Sequence, residues 1–486
     1  MEKYLLGVDV GTTGTKTMLF SENGKVLGHA YKGYSMSTPN VGLSEQSADD
    51  WYDAVTETIR KVCSDKEIAK NVLAISLSTQ GGTLVPIGND SIPLRPAIVW
   101  NDARCEKQKQ DFITEVGDDK KMYNISGWHL GNKLPALTIR WLKENEPEIF
   151  ERTRLFLTVP DYISMKLTGI AAVDLSNAGI NQLCDVKERR YNKEILEFCG
   201  ITEDRLPKLV PSGEKIGTLT EKAAKELGLT TDTVLVSGAH DQYAVALGAG
   251  ATKSGDMLIG SGTCWVVTAI SDEPNFASGL SQSVAAVPNM WGSLQSLSSG
   301  GVCLDWLRKN VMQKEDISYQ LIDEMSERKK AAEEGLYFYP FAGKANKTER
   351  LTKSSFFGMD LSHDSFNLAR AVMEGVVFQV LWMMESFNTK PSSDGIILSG
   401  GATKSPIWSQ LLADISGLPV RIPDVADLAC VGAAVMAGVG CGLYENEESG
   451  YKKLAVNEKI LKPNLEKTKM YSLLFDDYKK RAGLMK

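Results

Sequence analysis

The sequence has few of the residues from which metal centres and disulfide frameworks are built. Its 486 residues include eight cysteines and four histidines, and no two cysteines have the Cys-x-x-Cys spacing typical of a zinc site. A disulfide framework requires regular, closely spaced cysteines. We therefore expect eight reduced thiols, as in a cytoplasmic protein. The dispersed histidines also argue against a histidine-based metal site.

Long apolar runs and an excess of positive charge are lacking as well. No window of eighteen apolar residues exists, so no membrane span is expected. The first residues lack the basic and apolar regions of a secretory signal. The formal net charge is −7 and the basic stretches are short, so nucleic acid is not an expected partner.

A length of 486 residues exceeds what one hydrophobic core supports and predicts two or three domains. A strand–turn–strand pattern occurs once in each half, at residues 4–20 and 256–270. This recurrence predicts two related α/β domains. We place them at residues 1–246 and 247–486, and expect ligands to bind in a cleft between them.

Hydrophobic patterning predicts the elements around these units. Further strands are expected at 25–28, 72–78, at the apolar segment from 234, and at 395–399. Helices are expected at 49–63, 365–384, 405–416 and 429–443.

The turn after the first strand has the composition of a phosphate-binding loop. In the segment Asp9–Lys16, glycines let backbone N–H groups approach phosphate oxygens, threonine hydroxyls add donors, and the lysine adds positive charge. Asp9, at the end of the strand, could hold a hydrated Mg²⁺ ion. The spacing matches neither a Walker A loop nor a dinucleotide fingerprint, and a plain hairpin turn is the alternative. The residues assigned to phosphate are Gly11, Thr12, Thr13 and Lys16.

Two further turns rich in small residues lie in the second half. The turn Gly260–Thr263 repeats the glycine–hydroxyl composition, so Gly262 and Thr263 are assigned to phosphate. A second turn lies between a strand and a helix, where small residues would let adenine or ribose approach the backbone. The alternative for the first of these turns is a plain hairpin, and the alternative for the second is a tight strand-to-helix connection. The adenosine candidates are Gly400, Gly401, Ala402 and Ser405.

Asp241 follows an apolar strand that ends in small residues. A carboxylate presented in this way suits a general base that accepts the proton of an attacking hydroxyl group. A helix N-cap is the alternative, and a structural role is favoured for His240. Trp100, Asn101 and Asp102 combine an aromatic plate with polar groups that suit a polyhydroxylated sugar, the alternative being a capped helix start.

Taken in order, these residues resemble the motifs of the FGGY carbohydrate kinases, with the xylulokinase branch nearest. The resemblance covers nearly the whole chain. Asp241 matches the catalytic aspartate of the family. The matching segments are Gly7–Lys16, Ser44–Gln46 with Trp51, Trp100–Cys105, Asp161–Tyr162, Ser261–Thr263, Cys303–Trp306, Ala369–Gly375 and Gly400–Ala402.

The resemblance implies an α/β fold of two actin/hexokinase-like (ribonuclease H-like) domains with a central cleft. It implies ATP and Mg²⁺ as cofactors and transfer of the γ-phosphate to a hydroxyl of a ketopentose such as xylulose. Asp241 would be the general base, and Asp9 a catalytic residue that positions the metal. A homodimer is a further expectation. The residues expected to bind the sugar are Thr79, Gln80, Trp100, Asn101, Asp102 and Asp241.

Two segments depart from the xylulokinase pattern. Ser78–Gly81 stands where xylulokinases carry Gln-Met-His-Gly, and Gly238–Gln242 stands where they usually carry Gly-Gly-Asp-Asn. The alternatives are therefore a kinase for another sugar, a deoxyketose, a sugar acid or a polyol, as in fuculokinases or gluconokinases. A non-catalytic sugar sensor and an actin-like nucleoside-triphosphate hydrolase are the remaining alternatives.

Overall fold

The computed structural model of the protein describes residues 2–313, 316–340, 354–387, 389–454 and 457–483. The chain forms two compact units. The first comprises Met1–Thr252, Asp272–Gly292 and Val425–Val456, and the second comprises Lys253–Ser271, Ser293–Asp424 and Asn457–Lys486. The predicted domains, 1–246 and 247–486, stay a prediction. The compact units are not continuous in sequence, because two segments beyond residue 252 pack with the first unit.

The first unit is built on a six-stranded sheet that contains the predicted opening meander. Strand Tyr4–Val10 is almost wholly buried, pairs antiparallel with Gly14–Ser21, and pairs parallel with Val72–Thr79. Because the carboxyl ends of parallel strands meet at one edge of a sheet, the side chains that follow these strands gather there. In sheet order the strands are Lys215–Thr218, Val234–His240, Val72–Thr79, Tyr4–Val10, Gly14–Ser21 and Val26–Gly33.

Helix Ala48–Val62 confirms the amphipathic pattern of the sequence. Trp51, Val55 and Ile59 are buried against the strands, in the core that also holds Leu6 and Val8. Ser47 caps the helix by accepting a hydrogen bond from the N–H of Asp50. Most of the charged residues of the helix lie on the opposite, solvent-exposed face.

The first unit has a second core, which contains Phe112, Phe156 and Phe198, besides further helices and short strands. The helices are Lys66–Ala69, Glu106–Glu115, Asp119–Ser126, Pro135–Asn145, Pro147–Arg152, Val159–Thr168, Leu175–Ile180, Lys193–Cys199, Glu221–Leu227, Asp241–Gly248, Leu428–Gly440 and Glu447–Lys453, with a 3₁₀ turn at Glu203–Arg205. The short strands are Glu45–Gln46, Val85–Ile87, Ala97–Ile98, Leu155–Leu157, Ala172–Asp174, Cys184–Asp185, Arg190–Tyr191, Lys208–Val210 and Ser281–Val284.

Helix Leu428–Gly440 packs against its neighbours at backbone distance. A Cβ atom on Gly7 would lie 1.8 Å from the carbonyl oxygen of Cys430, and one on Gly432 would lie 2.0 Å from that of Ala244. A Cβ atom on Gly248 would lie 1.9 Å from the carbonyl oxygen of Leu428. The glycines and alanines of this segment therefore join strand Tyr4–Val10 to helix Asp241–Gly248 without side chains between them.

The second unit repeats the hairpin of the first. Strand Met257–Ser261 pairs antiparallel with Trp265–Ser271 and parallel with Ile396–Gly400, which places Ser261 opposite Gly400. The sheet continues through the other strands of this unit in the order Trp291–Leu297, Trp265–Ser271, Met257–Ser261, Ile396–Gly400, Val420–Asp424 and Asn457–Leu461.

The helices of the second unit include the predicted long helix with its predicted bounds, Ser365–Met384. No helix in the described part of the chain combines the length and the apolar character needed to cross a membrane. The other helical segments are Gly301–Trp306, Leu307–Val311, Tyr319–Glu327, Ala332–Glu334, Gly401–Lys404, Pro406–Ser416 and Leu465–Ala482, and a short hairpin pairs Tyr337–Tyr339 with Ser355–Phe357.

The close packing of helix Leu428–Gly440 leads to a stability prediction. The substitution Gly432→Ala is expected to lower the free energy of unfolding by about 1–3 kcal/mol, because the new methyl group overlaps a backbone oxygen that cannot move freely. Gly131→Ala is the matched control, since a Cβ atom there meets no atom within 4 Å. Denaturant unfolding of both variants is the measurement, and equal stabilities would contradict the packing argument.

Candidate active site

Asp9 is a buried carboxylate at the end of strand Tyr4–Val10. Its side chain is 11% exposed, and its Oδ1 accepts a 2.8 Å hydrogen bond from the Ser78 hydroxyl on the neighbouring strand. Burial, with a further contribution from the Asp427 carboxylate, raises the pKa of Asp9 to about 6. The ionised form of Asp9 is therefore less favourable than that of an exposed aspartate.

Lys16 lies beside Asp9 but bonds to another carboxylate. Its Nζ is 2.7 Å from Asp427 Oδ2 and 3.6 Å from Asp9 Oδ2. Burial acts to lower the pKa of Lys16, but the hydrogen bond to Asp427 and the charges of both carboxylates outweigh burial and raise this pKa above its usual range. The lysine is therefore a permanent cation at this edge of the sheet.

The predicted phosphate turn is held by side chains from several strands and loops. Gly11 N–H donates to the Gly14 oxygen at 3.1 Å, and the Gln46 amide donates to the Thr12 oxygen at 2.6 Å. The Thr12 hydroxyl donates to Gln80 Oε1 at 3.1 Å and accepts from Trp100 Nε1 at 3.1 Å. Two residues predicted to bind sugar, Gln80 and Trp100, thus contact a residue predicted to bind phosphate.

Thr13 is the exposed member of the same turn. Its carbonyl oxygen accepts from the Tyr34 N–H at 3.2 Å and from the Tyr31 hydroxyl at 3.3 Å. The Thr13 backbone is fixed by these contacts, while its side chain faces solvent.

Asp241 is the first residue of helix Asp241–Gly248, and the N-cap position belongs to His240. The alternative of Asp241 as the helix N-cap is therefore wrong. The Asp241 side chain is 35% exposed, and its Oδ1 lies 3.3 Å from His240 Nδ1. That contact lacks hydrogen-bond geometry, and in the described structure neither atom has a hydrogen-bond partner. Oδ1 of Asp241 is therefore buried without a hydrogen bond in the described structure.

Several buried polar atoms near Asp241 have no hydrogen-bond partner among the described residues. The indole Nε1 of Trp128 is one, and its ring packs on His240 with centroids 6.0 Å apart. Asn177 Oδ1 is another, while its Nδ2 donates to the Thr79 hydroxyl at 3.3 Å. Such orphaned groups are expected where a polar ligand binds. Thr79 itself is wholly buried, so it reaches this region through Asn177.

The segment Trp100–Asp102 does not start a helix. Trp100 is 42% exposed, and the Oδ1 atom of Asn101 is buried without a partner in the described structure. The Asp102 carboxylate accepts from the N–H of Ser44 and from the Arg104 guanidinium, and this pairing holds the pKa of Asp102 below its usual value although burial acts to raise it. The capped-helix alternative is therefore wrong, since the next helix, Glu106–Glu115, begins after Cys105.

In the second unit, Gly262 and Thr263 form the tip of the hairpin. Gly262 N–H donates to the Cys264 oxygen at 3.1 Å, which closes the turn as Gly11 does in the first unit. The carbonyl oxygens of Gly262 and Thr263 accept from the backbone of Gly300 and its neighbours, so the turn is anchored from behind. The local geometry thus repeats that of the turn at Gly11–Gly14.

Gly400 requires glycine for two reasons. Its φ is +89°, and a Cβ atom would lie 2.7 Å from the Ser261 oxygen. Gly401 and Ala402 continue the turn, and the Ala402 N–H donates to the Ser261 hydroxyl at 3.0 Å. Ser405 caps helix Pro406–Ser416 by accepting from the Trp408 N–H at 3.1 Å. The turn therefore presents backbone atoms and no large side chains. The Ser405 hydroxyl is already engaged in capping the helix.

Asp427 and Trp128 are two site residues that the sequence reasoning missed. Asp427 precedes a helix rich in small apolar residues and caps it through the Cys430 N–H, so a search for N-caps would have found this residue, though not its bond to Lys16. Trp128 has no sequence signal that distinguishes it from a core tryptophan. Its position beside His240 depends on the tertiary fold.

Two sequence-family models match the chain. The N-terminal domain of the FGGY family of carbohydrate kinases matches residues 4–248, and the C-terminal domain of the same family matches residues 257–441. The chain is 29% identical to the xylulose kinase of Bacillus subtilis (strain 168), covering 98% of this chain and 96% of that protein. It is 28% identical to the gluconokinase of the same organism, covering 91% of this chain and 88% of that protein.

The fold has close counterparts among solved structures. The ligand-bound xylulose kinase from Lactobacillus acidophilus superposes with a TM-score of 0.89 at 26% identity, covering 99% of this chain and 98% of that one. The two sheet-containing units are thus those of the actin/hexokinase-like fold. Because family models for both domains together match most of the sequence, the chain belongs to the FGGY family of carbohydrate kinases and is an ATP-dependent sugar kinase.

Proposed function

We propose that the protein transfers the γ-phosphate of ATP to a hydroxyl group of a ketopentose such as xylulose. The observation that supports this reaction best is the free carboxylate of Asp241. Its buried Oδ1 has no hydrogen-bond partner in the described structure, while a third of its side chain is exposed. Asp241 accepts the proton of the sugar hydroxyl as that oxygen attacks the γ-phosphorus and ADP leaves.

The other roles follow from the local contacts of each residue. Gln80, Trp100 and Asn101 contact the sugar, and Thr79 supports the sugar site through Asn177. Asp102 positions this segment by its ion pair with Arg104. Gly11, Thr12, Thr13, Lys16, Gly262 and Thr263 bind phosphate oxygens, and Gly400, Gly401, Ala402 and Ser405 line the adenosine site.

Asp9 fits the role of a ligand or anchor for Mg²⁺. The described residues contain no cluster of three or more metal-ligating side chains, and Mg²⁺ commonly takes one or two protein carboxylates together with water and substrate phosphates. A buried carboxylate with a raised pKa gains most from such a cation. When bound, the ion neutralises phosphate charge during transfer.

Xylulose is the first candidate sugar because xylulose kinases are among the relatives matched over nearly the full chain. Gluconate is the second, because a gluconokinase is matched at similar identity. We further propose a cytoplasmic location, in keeping with eight cysteines that form no disulfide in the described structure, and a homodimeric assembly.

The role of Asp241 predicts a large loss of turnover in one variant. Asp241→Asn removes the proton acceptor with little change in shape, so kcat is expected to fall by about 10²–10⁴-fold while ADP still binds. Asp232→Asn, an exposed residue of the preceding loop, is the matched control and should turn over normally. A coupled ADP-release assay gives kcat, and normal turnover by Asp241→Asn would refute the assignment.

The identity of the sugar is tested by a panel of free sugars and sugar acids. Xylulose is expected to give the highest kcat/KM in the ADP-release assay, with gluconate, fuculose, rhamnulose and glycerol below it. A higher kcat/KM for gluconate would transfer the assignment to the second candidate. ATP turnover that is independent of every sugar would instead support a hydrolase.

The raised pKa of Asp9 predicts a pH-dependent gain of stability in one variant. In the folded protein the neutral carboxyl is favoured, so the stability of the wild type is fully present below pH 4 and decreases as pH rises toward 6. Asp9→Asn lacks this charge and should be more stable than the wild type above pH 6, by about 1–3 kcal/mol.

Thermal unfolding in EDTA, without nucleotide, measures this difference. The gap between Asp9→Asn and the wild type should grow from pH 4 to pH 6 and then stay constant. A gap that is constant across the whole range would show that the Asp9 charge is not the cause.

A further inference from the structure

Two buried carboxylates share one ammonium group at the edge of the first sheet. The side chains of Asp9 and Asp427 are 11% and 9% exposed, while that of Lys16 is 39% exposed. The lysine bonds to Asp427 at 2.7 Å, whereas its 3.6 Å distance to Asp9 is too long for a hydrogen bond. Asp9 is therefore close to a cation without being bonded to it.

The position of Asp427 is fixed from two directions. Its Oδ1 accepts a 3.0 Å hydrogen bond from the Cys430 N–H as the cap of helix Leu428–Gly440, which leaves Oδ2 for the lysine. The helix is pressed on strand Tyr4–Val10 where Gly7 meets the Cys430 oxygen. The Cys430 thiol also lies 3.6 Å from the Lys16 carbonyl oxygen. The strand that carries Asp9 and the helix capped by Asp427 thus meet at the close contact between Gly7 and Cys430.

This geometry has a consequence for Asp9. Without the Asp427 charge, Asp9 would be the nearest carboxylate to Lys16. A small movement of the flexible lysine would then convert the present 3.6 Å ion pair with Asp9 into a hydrogen-bonded one. An Asp9 carboxylate bonded to lysine is less available to a hydrated divalent cation, since both compete for the same oxygens.

We propose that Asp427 is a positioning residue for the kinase reaction, which holds the Lys16 ammonium group off Asp9 and so keeps the Asp9 carboxylate available to Mg²⁺. This inference rests on the proposed roles of Asp9 and Lys16. It assigns Asp427 no contact with the nucleotide or the sugar, because it acts only through the lysine.

The binding test uses Mg²⁺ and ADP as probes, without sugar. The Kd of ADP is measured by calorimetry in EDTA and in Mg²⁺, and the ratio of the two values is the enhancement by Mg²⁺. The variants are Asp427→Asn, Lys16→Met and the double variant. Asn keeps an oxygen that can cap the helix, so the fold is preserved. Asp424→Asn, exposed at the end of the strand before Asp427, is the matched control.

Asp427→Asn is expected to lower the enhancement about tenfold, within the range of coupling seen for residues in contact. In the Lys16→Met background the same substitution should change it less than twofold, since no lysine remains to be held. Asp427→Glu, which restores the charge, should recover enhancement, and Asp424→Asn should behave as the wild type. The KM for the sugar should be unchanged in Asp427→Asn, which a general structural defect would not predict.

Two results would overturn the inference. An equal decrease in both backgrounds would show that Asp427 acts on the cation directly, and no decrease in either would show that it does not position Lys16. These outcomes are distinct from a failure of the proposed function. That failure would be seen as wild-type protein that phosphorylates no sugar, or as wild-type ADP binding that Mg²⁺ does not enhance.

Discussion

The packing of helix Leu428–Gly440 at backbone distance is the constraint on which the first unit depends. Through Gly7, Gly248 and Gly432, the helix touches both the strand that carries Asp9 and the helix that begins at Asp241. A side chain at any of these glycines would push helix Leu428–Gly440 away from the strand or from the helix that it contacts. Asp427 is the N-cap of the same helix, so the packing of the helix also sets the position of the charge beside Lys16.

Three charged side chains, Asp9, Lys16 and Asp427, lie together at the edge of the first sheet. Asp9 is kept at a pKa of about 6 by burial and by Asp427, which is unfavourable for the empty protein at neutral pH. In the proposed role of Asp9, the same arrangement would favour a divalent cation when nucleotide binds. Lys16 offsets part of the negative charge, but its hydrogen bond goes to Asp427. The single lysine therefore neutralises only part of the negative charge of Asp9 and Asp427.

Much of the fold could be predicted because its strands and helices carry clear hydrophobic patterns. The long helix Ser365–Met384 was predicted with its bounds, and the paired hairpins of the two units follow from apolar strands around Gly-Thr turns. The alternative of a capped helix start at Trp100–Asp102 was wrong, since the helix begins at Glu106. A capping residue and an ion-paired residue look alike in sequence, and only the pairing with Ser44 and Arg104 distinguishes them.

The sequence by itself determined the family, the ATP-dependent kinase reaction and the two glycine–hydroxyl turns, because local composition specifies backbone turns and ordered motifs specify the family. Tertiary structure alone decided which charges meet. Asp427 lies 411 residues beyond Lys16 and bonds to it, and Trp128 packs on His240 from a distant loop. Strand register and helix packing create such contacts, and no local pattern in the chain encodes them.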